Sequence, residues 1–383
     1  MTDFTFTTTP RLVCADGGSA GLGALARARG ITRALVVTDR GLLASGALAP
    51  ALDGFAAAGV EAVVFADVEP DPPEACVEAA VAAAHTARVD GVVGLGGGSS
   101  MDTAKLAALL AASGETLGAV YGVDLARGPR LPLVQVPTTA GTGSEVTPIA
   151  IVTTPSAEKK GVVSGHLYPD VALLDATLTL GLPPRTTAMT GVDAMVHAIE
   201  AYTSRRLKNV LSDTLAVRAL GLLAAHLGRA VDDGADLPAR RAMLQGATLA
   251  GMAFANAPVA AVHALAYPLG GHFHVPHGLS NALVLLPVLE FNLAAAGPLY
   301  AELAPALAAG GGPADGAPGG ALLDALGALL DRLPLERRLR EVGVTEADLP
   351  MLARDAMRVQ RLLVNNPRAV TYDDALAIYR RAL

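Results

Sequence analysis

The chain has 383 residues, too many for one ordinary core, so two domains are expected. Hydrophobic residues make up 52% and charged residues 17%, which excludes a disordered chain, while 36 acidic against 29 basic residues argue against a nucleic-acid partner. Two cysteines define no disulfide framework, "MTDFTFTTTPRLVC" lacks the pattern of a secretory signal, and the apolar stretches read as too interrupted for a membrane span, so a soluble cytoplasmic protein is expected.

The first half alternates β-branched runs with Ala-rich helical ones. "RALVVTD" (33–39) predicts a buried strand, with a helix around 47–58 behind it. "EAVVFADV" (61–68) predicts a second strand and "PPEACVEAAVAAAHTA" (72–87) a helix. "DGVVGLGGGSS" (90–100) reads as a strand entering a glycine turn, "MDTAKLAALLAAS" (101–113) as a helix and "LPLVQVPTT" (131–139) as a strand. This alternation argues for a parallel sheet wound with helices. After the Pro pair in "GLPPRTTAMT" (181–190) the pattern is helical almost to the end. The predicted fold class is therefore an α/β domain over 1–182 followed by an all-α domain over 183–383. "AAGGGPADGAPGGAL" (308–322) reads as a mobile surface connection.

The glycine turn "GLGGGSSMDTAK" (94–105) lets the backbone approach a ligand closely, and a helix opening there favours an anion such as pyrophosphate. A plain strand–helix turn would show the same glycines. Asp39, at a strand end, is placed to accept hydrogen bonds from a ribose diol and to repel a 2′-phosphate, which favours NAD over NADP. An ordinary turn aspartate would occupy the same position. "PTTAGTGSEVT" (137–147) packs hydroxyls and glycines into one loop.

In "GVDAMVHAIEAYTS" (191–204) Asp193 precedes His197 by four residues. On a helix both side chains share one face, roughly 5–6 Å apart at Cβ. That suits two ligands of one cation, and equally a simple Asp–His pair. Four of the eight histidines, His263, His272, His274 and His277, fall in "HALAYPLGGHFHVPHGLSN" (263–281). Asp193, His197 and two of these four would make an oxygen–nitrogen set suited to Fe²⁺ or Zn²⁺.

Through "GGGSSMDTAK", "PTTAGTGSEVT", "DAMVHAIEAYTS", "AGMAFANA", "VHALAYPLGGHFHVPHGLSNA" and "NNPR" (365–368), the chain resembles the iron-containing (group III) alcohol dehydrogenases, whose fold is like that of dehydroquinate synthase. The resemblance implies an N-terminal dinucleotide-binding domain, a helical domain and a metal in the cleft. It places metal ligands on Asp193, His197, His263 and His277, leaving His272 and His274 as cleft-lining or surface residues. It places pyrophosphate contacts on Gly97, Gly98 and Ser99, the cofactor loop on Thr138 and Thr139, and a cofactor lysine on Lys160. Asp39 is its strand-end acid. Three departures stand out: Tyr267 replaces a second histidine that many members carry, Pro258 and Ala260 replace glycines, and Asp71 stands in a common Pro-Asn-Pro. A phenol is a poorer base than imidazole near pH 7, so Tyr267 is expected to shape the substrate pocket rather than to take the proton.

The resemblance implies hydride transfer between NAD(H) and a small alcohol or carbonyl compound, with Fe²⁺ or Zn²⁺, in a homodimer without a nucleic-acid or membrane partner. Relatives of the same fold, a maleylacetate reductase or a hydroxyacid–oxoacid transhydrogenase, are the close alternatives. A dehydroquinate synthase-like lyase is the distant one.

Overall fold

Apolar runs with few charges build the central sheet. The computed structural model describes residues 3–156, 158–307 and 319–383. Strands β1 (Leu12–Cys14), β2 (Arg33–Val37), β3 (Glu61–Phe65), β4 (Gly91–Gly96), β6 (Leu133–Pro137) and β9 (Val171–Leu174) form a six-stranded parallel sheet in the order β1-β9-β6-β4-β2-β3. Every residue of β4, β6 and β9 is buried, as befits central strands covered on both faces. A second sheet, β5-β8-β7, joins β5 (Gly122–Val123) to the antiparallel pair β7 (Ile149–Thr153) and β8 (Lys159–Val163).

Helices α1 (Leu22–Arg27), α2 (Arg40–Ala44), α3 (Ala49–Ala57), α4 (Glu74–Ala87), α5 (Gly98–Ser113) and α6 (Leu117–Val120) accompany these strands. Leu22, Ile31 and Phe55 pack with Val36, Val93 and Val134 in one core cluster. Phe65, Cys76 and Ala104 pack with Leu35, Val37 and Val92 in another. Alternate residues of β2 thus feed different clusters, as the strand's period of two requires.

The helical half contains α7 (Pro184–Thr203), α8 (Val210–Asp232), α9 (Leu237–Asn256), α10 (Ala261–Phe273), α11 (His277–Leu307), α12 (Gly320–Asp331), α13 (Leu349–Ala356), α14 (Gln360–Leu363) and α15 (Tyr372–Ala382). Helix α7 starts on the Pro183–Pro184 pair, with a proline in its first turn where no amide hydrogen is needed. It is buried from Gly191 to Thr203. A Cβ at Gly191 would stand 2.5 Å from Leu227 and 2.8 Å from Met243, so glycine admits α8 and α9 against α7.

By internal packing one compact unit holds Thr8–Thr139 and Gly143–Leu180. The other holds the described residues up to Thr7, Ala140–Thr142 and Gly181–Leu383. This division differs from one at 182/183 chiefly in two places, the described residues up to Thr7 and the segment 140–142, where a Cβ at Gly141 would come within 2.8 Å of Thr190.

Several details correct the sequence reading. The helix expected from 101 begins at Gly98, because Gly97 serves as its N-cap and Gly98, Ser99 and Ser100 already belong to its first turn. The helix around 47–58 is Ala49–Ala57, preceded by α2, which Asp39 caps. The connection at 308–322 lies, as far as residue 318, outside the described residues. Helices α8 and α11 are each long and apolar enough to cross a membrane, and α9 with α10 passes the same test as a bent pair. Proline does not interrupt α11 as the sequence suggested: Pro287, Pro298 and Pro305 all lie inside it. Length and composition therefore do not exclude a membrane span.

Candidate active site

The helical unit brings Asp193, His197, His263 and His277 together. Asp193 and His197 face the same way from adjacent turns of α7, His263 sits in the first turn of α10, and His277 opens α11. One donor atom from each lies within 4.8 Å of all the others. From Asp193 Oδ1, the Nε2 atoms of His197, His263 and His277 are 3.8, 3.9 and 3.5 Å away. The first three residues are buried, and the His277 side chain is 29% exposed, giving the cluster one open side.

Local sequence explains the convergence. A Cβ at Gly278 would lie 2.4 Å from the Met189 carbonyl oxygen, so glycine after His277 lets α11 start against the α7 backbone. Pro258, Val259 and Ala260 lead into α10 without glycine. Ser204 Oγ donates to the Pro258 carbonyl at 2.8 Å, Asn365 Nδ2 to that of Val259 at 2.9 Å, and the Ala260 amide donates to Glu200 at 2.9 Å.

Glu200 was not singled out from the sequence, although it lies one turn beyond His197. Its carboxylate also accepts from the Val262 amide at 2.7 Å, and its Oε2 lies 2.7 Å from His263 Nδ1. With Nδ1 donating to Glu200, His263 turns the lone pair of Nε2 toward the cluster. Asn281, one turn after His277, was missed as well. It is fully buried and donates Nδ2 to Asp193 Oδ1 at 2.6 Å. The ring of His197 stacks between Phe254 (centroids 4.3 Å apart) and His263 (4.8 Å).

The charge states suit a cation. Burial pushes the His197 imidazole down to about 4, so it is neutral at pH 7. Burial pushes the Asp193 carboxyl up, but the three histidines and the Asn281 amide together hold it below its usual range. Among the described residues only these histidines come within ion-pair reach of Asp193. A buried carboxylate without a fixed positive partner is costly, and a divalent ion would supply that charge. The Asn281 Oδ1 atom, buried beside the cluster with no hydrogen-bond partner, also leaves a polar atom to be satisfied there. The four donors thus fit a divalent metal.

The other two histidines of the 263–281 segment lie outside this group. His272 Nε2 is 2.7 Å from Asp355 Oδ2, and His274 is an exposed left-handed residue ending α10. Tyr267 is half-buried, its ring centroid 6.1 Å from that of His277.

In the sheet unit, the neighbouring strands β2, β4 and β6 end side by side. Beyond their C-terminal ends come Asp39, Gly97–Ser99 and Thr138–Thr139. This is the edge at which open α/β sheets bind ligands. A Cβ at Gly96 would lie 2.5 Å from Ser100 Oγ, and one at Gly97 would touch Thr139 at 3.6 Å. Gly97 caps α5 without a side-chain hydrogen bond, so the first amides of this 16-residue helix can serve an anion. Asp39 caps a helix here, as an ordinary turn aspartate does. Its Oδ1 accepts from the Leu42 amide at 2.8 Å and caps α2, while Oδ2 lies 3.9 Å from the Cβ position of Gly96.

Lys160 is not brought to this edge. It is exposed on β8, with Nζ 5.5 Å from the Tyr121 ring centroid. Its neighbour Lys159, on the opposite face of the strand, pairs with Asp71 at 2.6 Å, and the Asp71 amide donates to Ser99 Oγ at 3.2 Å. The end of the motif has a structural role: Lys105 Nζ, fully buried, donates to Ser144 Oγ (2.8 Å), Thr147 Oγ1 (3.2 Å) and the Ile149 carbonyl (2.7 Å). Asp102 accepts from Ser144 Oγ at 2.6 Å and from the Ile151 amide at 2.9 Å, which fastens α5 to the 137–147 loop and β7.

Comparison with known proteins agrees with both halves. Residues 9–176 match the family described as "Iron-containing alcohol dehydrogenase", and residues 187–383 match "Fe-containing alcohol dehydrogenase family, C-terminal". A sulfoacetaldehyde reductase of Bilophila wadsworthia is 36% identical over 353 residues, covering 91% of this chain and 90% of that protein. A crystal structure of a 1,3-propanediol oxidoreductase superposes with a TM-score of 0.95 at 34% identity, over the full length of both chains. A sulfoacetaldehyde reductase from Bifidobacterium kashiwanohense, solved in complex with NAD⁺, does so with 0.89 at 28% identity, over 100% of this chain and 99% of that one. The chain belongs to the iron-containing alcohol dehydrogenase family.

Proposed function

We propose that the chain transfers hydride between NAD(H) and a small alcohol or its aldehyde or ketone, using a divalent ion held by Asp193, His197, His263 and His277. The observation that carries this reading is the buried cluster of four donors within 4.8 Å of one another. One carboxylate and three imidazoles serve Fe²⁺ and Zn²⁺ alike, and membership of the family favours iron. When bound, such an ion acts as a Lewis acid toward the alcohol or carbonyl oxygen, an effect worth several kcal/mol.

The chain's own residues have distinct tasks. Asp193 supplies the negative charge, Glu200 fixes the tautomer of His263, and Asn281 orients Asp193. The first amides of α5 receive the NAD diphosphate, and Asp39 Oδ2 receives the adenosine ribose. Tyr267 lines the approach beside His277, while the proton leaves through water or the ribose hydroxyls. The reading extends to a cytoplasmic homodimer, which light scattering and cell fractionation check.

The test is reconstitution with Fe²⁺ or Zn²⁺ followed by NADH absorbance on a panel of alcohols, diols and hydroxy acids. Metal-dependent NADH formation supports the proposal. A lyase would turn over a sugar-derived phosphate with no net NADH, and that result would replace it.

A further inference from the structure

Tyr267 separates His277 from a cation. Arg361 of α14 places its Cζ atom 5.9 Å from the Tyr267 ring centroid and its Nη2 atom 3.4 Å from the Tyr267 hydroxyl. The arginine is anchored through its backbone. Asn365 donates Nδ2 to the carbonyls of both Arg361 (3.1 Å) and Val259 (2.9 Å), tying α14 to the segment that positions His263. Among the described residues no carboxylate pairs with Arg361. The nearby Asp355 is engaged by His272 at 2.7 Å and by Arg358 at 3.2 Å. An exposed guanidinium, fixed at its base and one aromatic ring from the donor cluster, therefore keeps its hydrogen-bonding fork available.

We propose that Arg361, with the Tyr267 hydroxyl, binds an anionic end group of the substrate, so that the preferred substrates are alcohols or aldehydes bearing a carboxylate or sulfonate. The inference rests on the dehydrogenase reading above and gives it a substrate class. Carboxylate and sulfonate each present paired oxygens that match the planar guanidinium, and a phenol O–H is a second donor for the same anion. Tyr267 serves this subsite where a histidine would add a titrating charge.

The test compares the metal-loaded wild-type enzyme with Arg361→Gln and Arg361→Lys on matched pairs: butan-1-ol with 4-hydroxybutanoate, and ethanol with 2-hydroxyethanesulfonate. The quantity read is the ratio of kcat/KM for the acid to that for the neutral alcohol. In wild type this ratio favours the acid. It falls about ten- to a hundredfold in Arg361→Gln, mainly through KM, as expected when a charged two-pronged contact becomes a neutral one, and falls less in Arg361→Lys. The two pairs show whether carboxylate or sulfonate is the better fit. Equal ratios in wild type and Arg361→Gln, or a wild-type preference for the neutral alcohols, overturn the assignment. Calorimetric titration with butanoate and propane-1-sulfonate reads the subsite without turnover: binding must weaken at least about tenfold in Arg361→Gln, and equal or absent binding in both proteins also overturns it. Failure to form NADH from any alcohol would instead defeat the dehydrogenase reading, and calorimetry alone would then decide the role of Arg361.

Discussion

The Glu200 carboxylate lies 2.7 Å from His263 Nδ1 and accepts the amides of Ala260 and Val262 at 2.9 and 2.7 Å. One buried side chain thus sets an imidazole and caps the helix that carries it. Glu200→Gln keeps the shape but loses the charge. Metal affinity should fall about ten- to a hundredfold, as when other partners behind metal-bound histidines are changed. Competition with a chromophoric chelator measures this, and unchanged affinity would reduce Glu200 to a helix cap.

Asp39 combines a cap on α2 with an oxygen turned toward the glycine turn. Asp39→Asn keeps the capping acceptor and removes the charge that disfavours a 2′-phosphate. The wild type should prefer NAD⁺ to NADP⁺, and the variant should lose about tenfold or more of that preference, in line with an interaction of roughly 1.4 kcal/mol. Comparing kcat/KM for the two cofactors checks both statements. If the preference is the same in both proteins, Asp39 is a turn residue only.

Gly278 holds α11 against α7, where an added Cβ would meet the Met189 carbonyl oxygen at 2.4 Å. Gly278→Ala should cost about 1–3 kcal/mol, as overpacking does, and should displace His277. Thermal unfolding and metal titration are the readouts. A variant with wild-type stability and affinity would show that the α11 terminus moves freely.

What the sequence made legible was the chemistry carried by spacing and by continuous apolar runs. The i,i+4 pair Asp193–His197 needs only a helix to share a face, and the runs at 33–37, 91–96 and 133–137 needed only burial to become neighbouring strands. Choosing His263 and His277 over His272 and His274 required the family resemblance, since nothing in "HFHVPH" says which ring turns inward. Glu200 and Asn281 lay within motifs already quoted, one helical turn from a ligand, but an acid or amide at that spacing is common on any helix. Arg361 was not visible, because its place beside Tyr267 depends on how α14 packs on α10, nearly a hundred residues away in the chain. Lys160 shows the reverse failure: alternation along β8 turned Lys159, its neighbour, toward the glycine turn.

Burial lowers the Lys105 ammonium from its ordinary value to about 8, against the opposing pull of Asp102 and Glu145. Between pH 8 and the ordinary lysine value near 10.4, the unfolded chain therefore holds a proton that the folded chain has released. Stability from this group rises with pH across that window, and below it the buried charge opposes folding. In Lys105→Met, urea midpoints measured from pH 7.5 to 10 should lack this upward component. An identical pH slope in both proteins would contradict the assignment.

The central claim is that Asp193, His197, His263 and His277 hold one divalent cation and that the neighbouring histidines do not. Metal analysis of the purified, Fe²⁺- or Zn²⁺-reconstituted protein tests it most directly, on wild type, His277→Ala and His274→Ala. The account predicts about one equivalent in wild type and in His274→Ala, with most of it lost from His277→Ala because a four-ligand site has lost a ligand. Metal retained by His277→Ala and lost from His274→Ala, or no metal bound by wild type, would contradict it.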